Sequence, residues 1–189
     1  MSYTASLSQK KLATWNLELG TRNLNLELAT LERSILMSSS YTIRTMQPED
    51  CQAVAALICL STSHWYECNF GVRRFVGGPR TTEIYFEVYH SLPGSSGIVA
   101  VDNYSGTVIG SCFQHIRPTH MSLGIMNTHP SYAGKGIASA MMKNICETAD
   151  REGKDLHLVS SAMNLDSFSL YNRYGFVPFC LYQDMRFEV

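Results

Sequence analysis

The stretch that decides the fold is residues 129–142, HPSYAGKGIASAMM. The segment predicts a strand end, then a Gly-Lys-Gly turn, then a helix. The first N–H groups of a helix have no partner inside it, and the positive end of the helix dipole favours an anion. Gly134 and Gly136 let the backbone come close to a phosphate group. We therefore predict a phosphate-binding turn, with a simple change of chain direction as the alternative.

Two common nucleotide-binding motifs do not match this turn. A Walker loop requires Ser or Thr directly after Gly-Lys, where this sequence has Gly136. A dinucleotide-binding turn requires a third glycine, where this sequence has Ser139. Neither class therefore accounts for the segment.

A second motif, NLDSFSLYNRYGF, occupies residues 164–176. Asn is a favoured helix cap and Gly a favoured helix end, so the motif predicts a helix from Leu165 to Tyr174 that ends at Gly175. Asn164 and Tyr171 are seven residues apart and therefore share one face of the helix.

Together these segments resemble the GNAT superfamily of N-acetyltransferases. Residues 128–138 are similar to its coenzyme A motif, although Ala133 stands where Arg or Gln is usual. Residues 164–176 are similar to a later block of the family, and Ile43-Arg44 with Pro48-Glu49-Asp50 resembles its opening strand and helix. The resemblance covers about residues 41–189. It implies an α/β (α+β) fold with a mixed, mostly antiparallel central sheet and helices on both faces.

The resemblance also implies a reaction and a cofactor. The family transfers an acetyl group from acetyl-CoA directly to an amine, here a primary amine of a small molecule, a peptide or a protein, without a metal. Tyr171 corresponds to the general acid that serves the leaving thiolate, and the N–H groups near the end of the fourth strand stabilise the developing oxyanion. The cofactor-binding residues implied are Met126, Asn127, Thr128, Ala133, Gly134, Lys135, Gly136, Ile137, Ala138, Ser139, Asn164, Ser167 and Tyr171.

The general base is less clearly indicated. A lysine-type amine is almost fully protonated at pH 7, so a base has to remove a proton before attack. Residues 121–128 contain no carboxylate, but a histidine can act as a base near its pKa. We take His120 as the candidate. The alternative bases are His115, His129, Glu67, Glu83 and Glu87.

Two aromatic residues have two possible roles. Trp65 and Tyr66 either line an acceptor pocket or pack in the core.

The remaining pattern alternates strands and helices. We expect strands at 41–46, 97–102, 107–117, 121–128 and 156–161, with a turn at 103–106. Helices are expected from Pro48 through Ile58, at 81–91, at 134–152 and at 165–174. An aromatic, polar stretch covers 61–70, and the tail, 176–189, is expected to form one or two short strands.

The first 38 residues differ from the rest and are expected to form an N-terminal extension, helical or poorly ordered, before a domain at 39–189. Apolar residues at helical spacing favour a helix with one apolar face: Leu17, Leu24, Leu28, Leu31 and Ile35. This face either packs on the domain or pairs two copies in a homodimer. Met37 is an alternative start of the protein.

Composition excludes some classes of function. The formal net charge is −1, so no basic footprint for nucleic acid is present. No apolar run is long enough to span a membrane, and no signal peptide is evident. The six cysteines have no CxxC spacing, which favours reduced, buried thiols in a cytoplasmic protein without a metal site. Two other hypotheses remain: a non-catalytic acyl-CoA-binding or regulatory module, and a partner subunit or fragment of a larger acyltransferase.

Overall fold

The computed structural model describes residues 40–182. The chain divides into two compact units, a small one of residues 1–42 and 102–106 and a large one of residues 43–101 and 107–189. The predicted N-terminal extension and the last seven residues of the predicted tail lie outside the described residues.

The described part of the small unit is built around a turn. The Asp102 side chain accepts the N–H groups of Tyr104 and Ser105, both at 2.9 Å. The N–H of Gly106 donates to the Asp102 carbonyl at 2.8 Å, and the N–H of Asn103 donates to the Ser40 carbonyl at 2.9 Å. This confirms the turn predicted at 103–106.

Four helices and five strands make up the described chain, and three short 3-10 turns accompany them at Pro48–Asp50, Pro79–Thr82 and Pro130–Tyr132. The helices are α1 (Cys51–Phe70), α2 (Glu83–Ser91), α3 (Ile137–Glu152) and α4 (Leu165–Arg173). The strands are β1 (Tyr41–Thr45), β2 (Ser95–Asp102), β3 (Val108–Ile116), β4 (His120–Thr128) and β5 (Asp155–His157).

The strands form one sheet in the order β1-β2-β3-β4-β5. β2 and β3 pair antiparallel, as do β3 and β4, whereas β4 and β5 pair parallel. The predicted mixed, mostly antiparallel sheet is therefore confirmed.

Helices cover both faces of this sheet, as predicted. A Cβ placed on Gly110 of β3 would come within 2.9 Å of Ile137 and 3.0 Å of Met141, so this face packs closely on α3. Phe113 points to the other face, where its ring stacks on Tyr89 of α2 with centroids 4.5 Å apart. The core on the α1 and α2 side contains Val54, Leu57, Ile58, Phe86, Val99, Val108 and Phe113.

The first helix is longer than predicted. The aromatic, polar stretch 61–70 continues α1 as far as Phe70, and Gly71 ends the helix in the left-handed conformation with φ 68°. Ser61 interrupts the apolar pattern without breaking the helix, because its hydroxyl donates to the Leu57 carbonyl at 2.7 Å. No glycine or proline stands between Cys51 and Gly71, so nothing stops the helix earlier.

Two expectations were wrong, on the strand at 156–161 and on the cysteines, and the strands expected in the tail fall partly outside the described residues. The strand expected at 156–161 is the three-residue β5, because β4 pairs with it only over His120–Ser122. Residues 176–182, the described part of the tail, form no strand. Not all cysteines are buried either: all six are free thiols, but Cys68 and Cys180 are exposed.

Candidate active site

The centre of the candidate site is an irregularity in β4. Leu123 pairs with Gln114 of β3 and Met126 pairs with Cys112, so β4 holds one residue more than β3 between these pairs. Such a bulge bends a strand and increases its local twist. In the part of the chain that the structure describes, no strand neighbours residues 123–128 on the β5 side. β4 and β5 therefore separate and leave an open edge of backbone.

The glycine turn lies at the carboxyl end of β4. Gly134 and Gly136 have φ of 74° and 77°, which only glycine adopts readily, and a Cβ on either would meet nothing within 4 Å. Gly136 is the N-cap, so α3 begins at Ile137 and not at Gly134 as expected. The correction has a local cause, since a residue with positive φ cannot belong to a right-handed helix.

The turn presents several amide donors to its outer side. Some N–H groups are used inside the turn, among them that of Ala133, which donates to the Pro130 carbonyl at 3.0 Å, and that of Lys135, which donates to the Tyr132 carbonyl at 3.2 Å. Within residues 40–182, five other N–H groups meet no acceptor: those of Gly134, Gly136, Ile137, Ala138 and Ser139. These donors and the helix dipole together can bind an anion, so the residues present fit a diphosphate.

The Lys135 side chain folds back over the turn. Its ammonium lies 4.3 Å from the centre of the Tyr132 ring, a cation–π contact. With its N–H already bonded, Lys135 offers a bound anion only long-range attraction. Ala133 likewise offers no free N–H, so these two predicted contacts are the least favoured of the set.

Tyr171 lies on α4, half-buried beside Phe176, with ring centroids 5.9 Å apart. Burial raises the pKa of its phenol, and the nearby Cys112 raises it further, whereas a hydrogen bond from the Ser167 side chain opposes the change. Tyr171 therefore keeps its proton at neutral pH, as a general acid must.

Asn164 caps α4. Its side-chain oxygen accepts the N–H of Ser167 at 3.1 Å, which accounts for an asparagine at this position. The hydroxyl of Tyr174 donates to the Ser139 carbonyl at 2.6 Å and ties the end of α4 to the first turn of α3. The two sequence motifs are thus joined in space, and cofactor contact by Asn164 and Ser167 stays a prediction.

The three residues predicted at the end of β4 differ in orientation. Thr128 and Met126 pair with Gly110 and Cys112 of β3, and Gly110 faces α3. The Asn127 side chain points to α1 instead, where its amide donates to the Ser61 hydroxyl at 2.7 Å. Its backbone N–H points to β3 as well, because the N–H of His129, two residues on, donates to the Ile109 carbonyl at 2.8 Å and strand N–H groups alternate in direction. The predicted contact of Asn127 with the cofactor is therefore less favoured than those of Met126 and Thr128.

His120 begins β4 at the end far from the glycine turn. Its ring stacks on His157 of β5 with centroids 4.4 Å apart. Desolvation lowers the pKa of His120, and the charges of His157, Arg117, His115 and Lys154 lower it further. His120 lies four residues before Gly124, about 13 Å along the strand at ~3.3 Å per residue. It therefore reaches the bulge only through a water or through the acceptor itself.

The other histidines considered as bases have local partners. His115 lies with Nδ1 3.0 Å from the Ser95 hydroxyl. His129 uses Nδ1 to accept the N–H of Ser131 at 3.2 Å, so it caps the short turn after β4. The hydrogen bond from Ser131 gives His129 a structural role.

The three glutamates considered have neighbours of their own. Glu67 forms an exposed ion pair with Arg73 at 3.8 Å. Glu83 and Glu87 of α2 add to the burial that raises the pKa of Cys51, so their charges lie beside that thiol.

Trp65 and Tyr66 form an aromatic cluster with Phe70 at the end of α1. The Trp65 ring centroid lies 5.1 Å from that of Tyr66 and 5.4 Å from that of Phe70, both edge on. The Arg74 guanidinium lies 5.6 Å from the Tyr66 ring centroid. Since Phe70 is 42% exposed, the cluster is a surface feature.

Tyr89 is a site residue that sequence reasoning missed. Its ring end lies directly on Gly124 in the bulge, since a Cβ there would be 2.7 Å from the Tyr89 hydroxyl oxygen. Burial raises the pKa of this phenol, while the N–H of Ile125 favours its ionised form. Gly124 inside a strand was the available signal, because a strand glycine often marks a bulge or a close approach.

Two absences complete the description of residues 40–182. No three His, Cys, Asp or Glu side chains in this range come together as a metal site would require. No helix in the same range has the length and apolar character needed to cross a membrane.

Comparisons with known proteins agree with this geometry. A transcriptional regulator from Bacillus halodurans C-125 superposes with a TM-score of 0.62 at 18% identity, covering 78% of this chain and 99% of its own. A ribosomal-protein-alanine N-acetyltransferase from Brucella melitensis biovar Abortus 2308 superposes with a TM-score of 0.58 at 17% identity, covering 79% of this chain and 100% of its own. AAC(6')-Iy, in complex with the bisubstrate analog CoA-S-monomethyl-acetylneamine, superposes with a TM-score of 0.56 at 14% identity, covering 79% of this chain and 99% of its own. At these identities the likeness concerns the fold alone.

No curated protein matches the chain. The model of the acetyltransferase (GNAT) family, however, matches residues 60–176, which is more than half of the sequence and includes both motifs. The chain therefore belongs to the GNAT family of acetyltransferases.

Proposed function

We propose that this protein transfers the acetyl group of acetyl-CoA directly to a primary amine of a small molecule, a peptide or a protein. The observation that carries the proposal is the set of five amide N–H groups without an acceptor beside the open edge of β4. Helix N-termini with free N–H groups bind phosphate, and coenzyme A carries a diphosphate. When bound, acetyl-CoA supplies the acetyl group as an activated thioester.

The open edge of β4 has a separate task in this proposal. A backbone N–H group at this edge, that of Met126 or of Thr128, holds the carbonyl oxygen of the acetyl group, because strand N–H groups alternate in direction and that of Asn127 points to β3. Fixed donors of this kind stabilise negative charge that develops on an oxygen, because they need no reorganisation. The bulge provides the open edge, since it parts β4 from β5.

Tyr171 is proposed as the general acid. Its phenol is neutral at pH 7, because burial raises the pKa more than the hydrogen bond from Ser167 lowers it. A neutral phenol can deliver a proton or a hydrogen bond to a leaving thiolate.

His120 is proposed as the general base, acting through water. Its pKa lies below the ordinary value, so the imidazole is neutral and able to accept a proton at pH 7. Its distance from the bulge requires the water in between.

A non-catalytic acyl-CoA-binding or regulatory module is the second candidate. Two observations favour it: Ala133 in place of the usual Arg or Gln, and the absence of a carboxylate from residues 121–128. Such a module binds coenzyme A but turns over no amine.

The cofactor site is tested by thermal unfolding with coenzyme A. A ligand that binds only the folded state raises the melting temperature by several degrees at saturating concentration. Gly136→Asp should abolish the rise, because it places bulk and negative charge in front of the free N–H groups. The matched control is Gly153→Asp, which changes a glycine of φ 60° with equally open space at the other end of α3. An equal loss of the rise in both variants would contradict the assignment.

The reaction is tested by release of free thiol from acetyl-CoA with a panel of amines and peptides. Release that depends on the amine supports an enzyme. A rise in melting temperature without release from any amine supports the regulatory module.

A further inference from the structure

Five side chains that carry or can take a positive charge lie together at the starts of β4 and β5. We call them the basic rim: His115, Arg117, His120, Lys154 and His157. Arg117 and His157 are exposed, and the other three are half-buried. A ligand can therefore reach the group from solvent.

The strand register places three residues of this region in one row. His115 of β3 pairs with Ser122 of β4, and Ser122 pairs with His157 of β5. Side chains directly opposite one another in a sheet share a face, so all three project from the same side. That side is the α2 face, because Phe113, two residues before His115, stacks on Tyr89. The proposed acceptor side of the bulge, where Tyr89 meets Gly124, is the same face.

Hydrogen bonds hold the two permanent cations beside this row. Arg117 Nε donates to the Ser122 hydroxyl at 3.1 Å, and Lys154 Nζ donates to the Pro118 carbonyl at 3.0 Å. Both therefore stay next to the histidines.

The positive charge of the basic rim is only partly balanced locally. Across residues 40–182, neither Arg117 nor Lys154 forms an ion pair; the pairs in this range are Arg44–Asp50, Arg73–Glu67 and Lys143–Glu147. Asp155 is the one carboxylate within the segments 115–122 and 154–157. It pairs with His120 across β4 and β5, so its side chain projects from the same face, but it forms no ion pair with Arg117 or Lys154. The other four members of the rim all lower the pKa of His120, which reports a positive field at that imidazole.

The basic rim is separate from the glycine turn. The two lie at opposite ends of the nine-residue β4, about 27 Å apart at ~3.3 Å per residue. A diphosphate held at the turn leaves the rim vacant for another anion. His115 and His157 lie level with Ser122, two residues before Gly124, so the rim begins about 7 Å from the bulge along the strand. His120 is four residues before Gly124, about 13 Å away.

We propose that the acceptor is an amine that also carries a carboxylate or phosphate group, which the basic rim binds. The amine then reaches the bulge while the anionic group, about 7–13 Å away, pairs with Arg117 and His157, which leaves His120 to act as the proposed base. This inference rests on the proposed acetyl transfer and names its substrate class. Polyamines and other multiply cationic acceptors are disfavoured, because like charges oppose binding.

The test compares matched acceptors in the thiol-release assay. The pairs are ε-aminocaproate with its carboxamide and 5-aminopentyl phosphate with 5-aminopentanol, and cadaverine is the cationic probe. We expect kcat/KM at least about tenfold higher for an anionic member than for its neutral partner, with cadaverine the poorest substrate. The first pair reports on carboxylates and the second on phosphates. A neutral amine or cadaverine that matches both anionic members would overturn the inference.

Arg117→Gln tests the rim directly. We expect the ratio of kcat/KM between the anionic amine and its neutral partner to fall about tenfold. The control Arg151→Gln changes an exposed arginine of α3 that bonds to Glu147 and Thr148, and should leave the ratio unchanged. An unchanged ratio in Arg117→Gln would contradict the proposal.

If no amine in the panel reacts, a binding measurement tests the inference instead. Glutarate titrated into the protein with coenzyme A bound should shift the imidazole NMR signals of His120 and His157, assigned with His120→Gln and His157→Gln. If no amine reacts and these signals do not move, the inference is wrong. The melting-temperature rise with coenzyme A reports separately on the proposed function.

Discussion

At the scale of single residues, Tyr171 is the side chain whose chemistry depends most on its surroundings. It stands on α4, where burial raises its pKa and a hydrogen bond from the Ser167 side chain opposes the change. Asn164, seven residues earlier, is engaged as the helix cap. An acid function at this point of the fold therefore belongs to the tyrosine.

We predict that Tyr171→Phe lowers kcat by about 10²–10⁴, because removing a positioned acid has this typical effect. Affinity for coenzyme A should stay within a few-fold, since the ring is retained. Because the pKa of Tyr171 is raised above 10, the parent protein keeps this acid protonated up to pH 10. Above that pH the parent should lose activity as the phenol ionises, whereas Tyr171→Phe, which has no phenol, should not. Steady-state kinetics from pH 6 to pH 11 measure both effects.

The control for this variant is Tyr85→Phe, a tyrosine of α2 whose ring lies beside Phe75. It should leave kcat unchanged. Equal kcat in Tyr171→Phe and the parent would show that the phenol only packs and that the thiolate leaves without an acid.

Residues differ in how far the sequence alone reveals them. The role of the glycines in the turn could be predicted because it is local. Gly134 and Gly136 have positive φ, and the helix begins at Ile137, within three positions of Gly134. Tyr89 could not, since its importance depends on Gly124, 35 residues away, being in a bulge that pairing with β3 creates. His157 was missed for the same reason, as its stacking on His120 needs the parallel pairing of β5.

At the scale of elements, the junction between β1 and α1 is fixed by a half-buried ion pair. Arg44 donates to both carboxylate oxygens of Asp50, at 2.7 and 2.8 Å, and the N–H of Gln47 donates to the same carboxylate at 2.8 Å. The hydrogen bond from Arg44 is the main reason that the pKa of Asp50 is lowered. Asp50 is only 7% exposed, but the Arg44 side chain is 43% exposed, so solvent screens part of the attraction in this pair.

We predict that Arg44→Gln lowers the free energy of unfolding by about 2 kcal/mol at pH 7, as is typical of charged hydrogen bonds. A carboxyl with a lowered pKa in the folded state stabilises the fold above its unfolded pKa of about 3.9 and loses this effect as pH falls through the folded value. The difference between variant and parent should therefore shrink as the pH falls below about 4, and it should vanish once Asp50 is protonated in the folded state as well. Urea unfolding at a series of pH values measures it.

Lys143→Gln is the matched control. Its pair with Glu147 spans 3.9 Å and both side chains are largely exposed. Such a pair contributes at most about 0.5 kcal/mol. If the two variants changed stability equally, the β1–α1 pair would not have the role assigned to it.

Elements with local stop signals were predicted best. α3 ends at Gly153 and α4 before Gly175, both as expected from glycine positions. α1 ran past its predicted end because Ser61 bonds to its own helix. β5 is shorter than predicted because β4 and β5 separate after the pair of Ser122 and His157, so later residues have no strand to pair with. No local sequence pattern indicates this separation.

At the scale of the whole molecule, the order of strands and helices could be inferred because both motifs keep the family's order along the chain. The predicted extension, residues 1–38, falls outside the described residues, so its role stays a prediction. Whether its apolar face packs on the domain or pairs two copies is a question of assembly.

We predict that a chain beginning at Met37 folds and keeps its melting-temperature rise with coenzyme A, because the matched family region begins only at residue 60. If the apolar face pairs subunits, light scattering should show half the mass of the full chain. If the shortened chain failed to fold, the extension would instead complete the core.

The aromatic cluster at the end of α1 gives the molecule a built-in optical probe. The sequence contains two tryptophans, Trp15 and Trp65, and a chain that begins at Met37 keeps only the second. All of its tryptophan fluorescence then comes from one indole in edge contact with Tyr66 and Phe70. A change in emission wavelength or anisotropy in that chain would follow the environment of this single surface, without any added label.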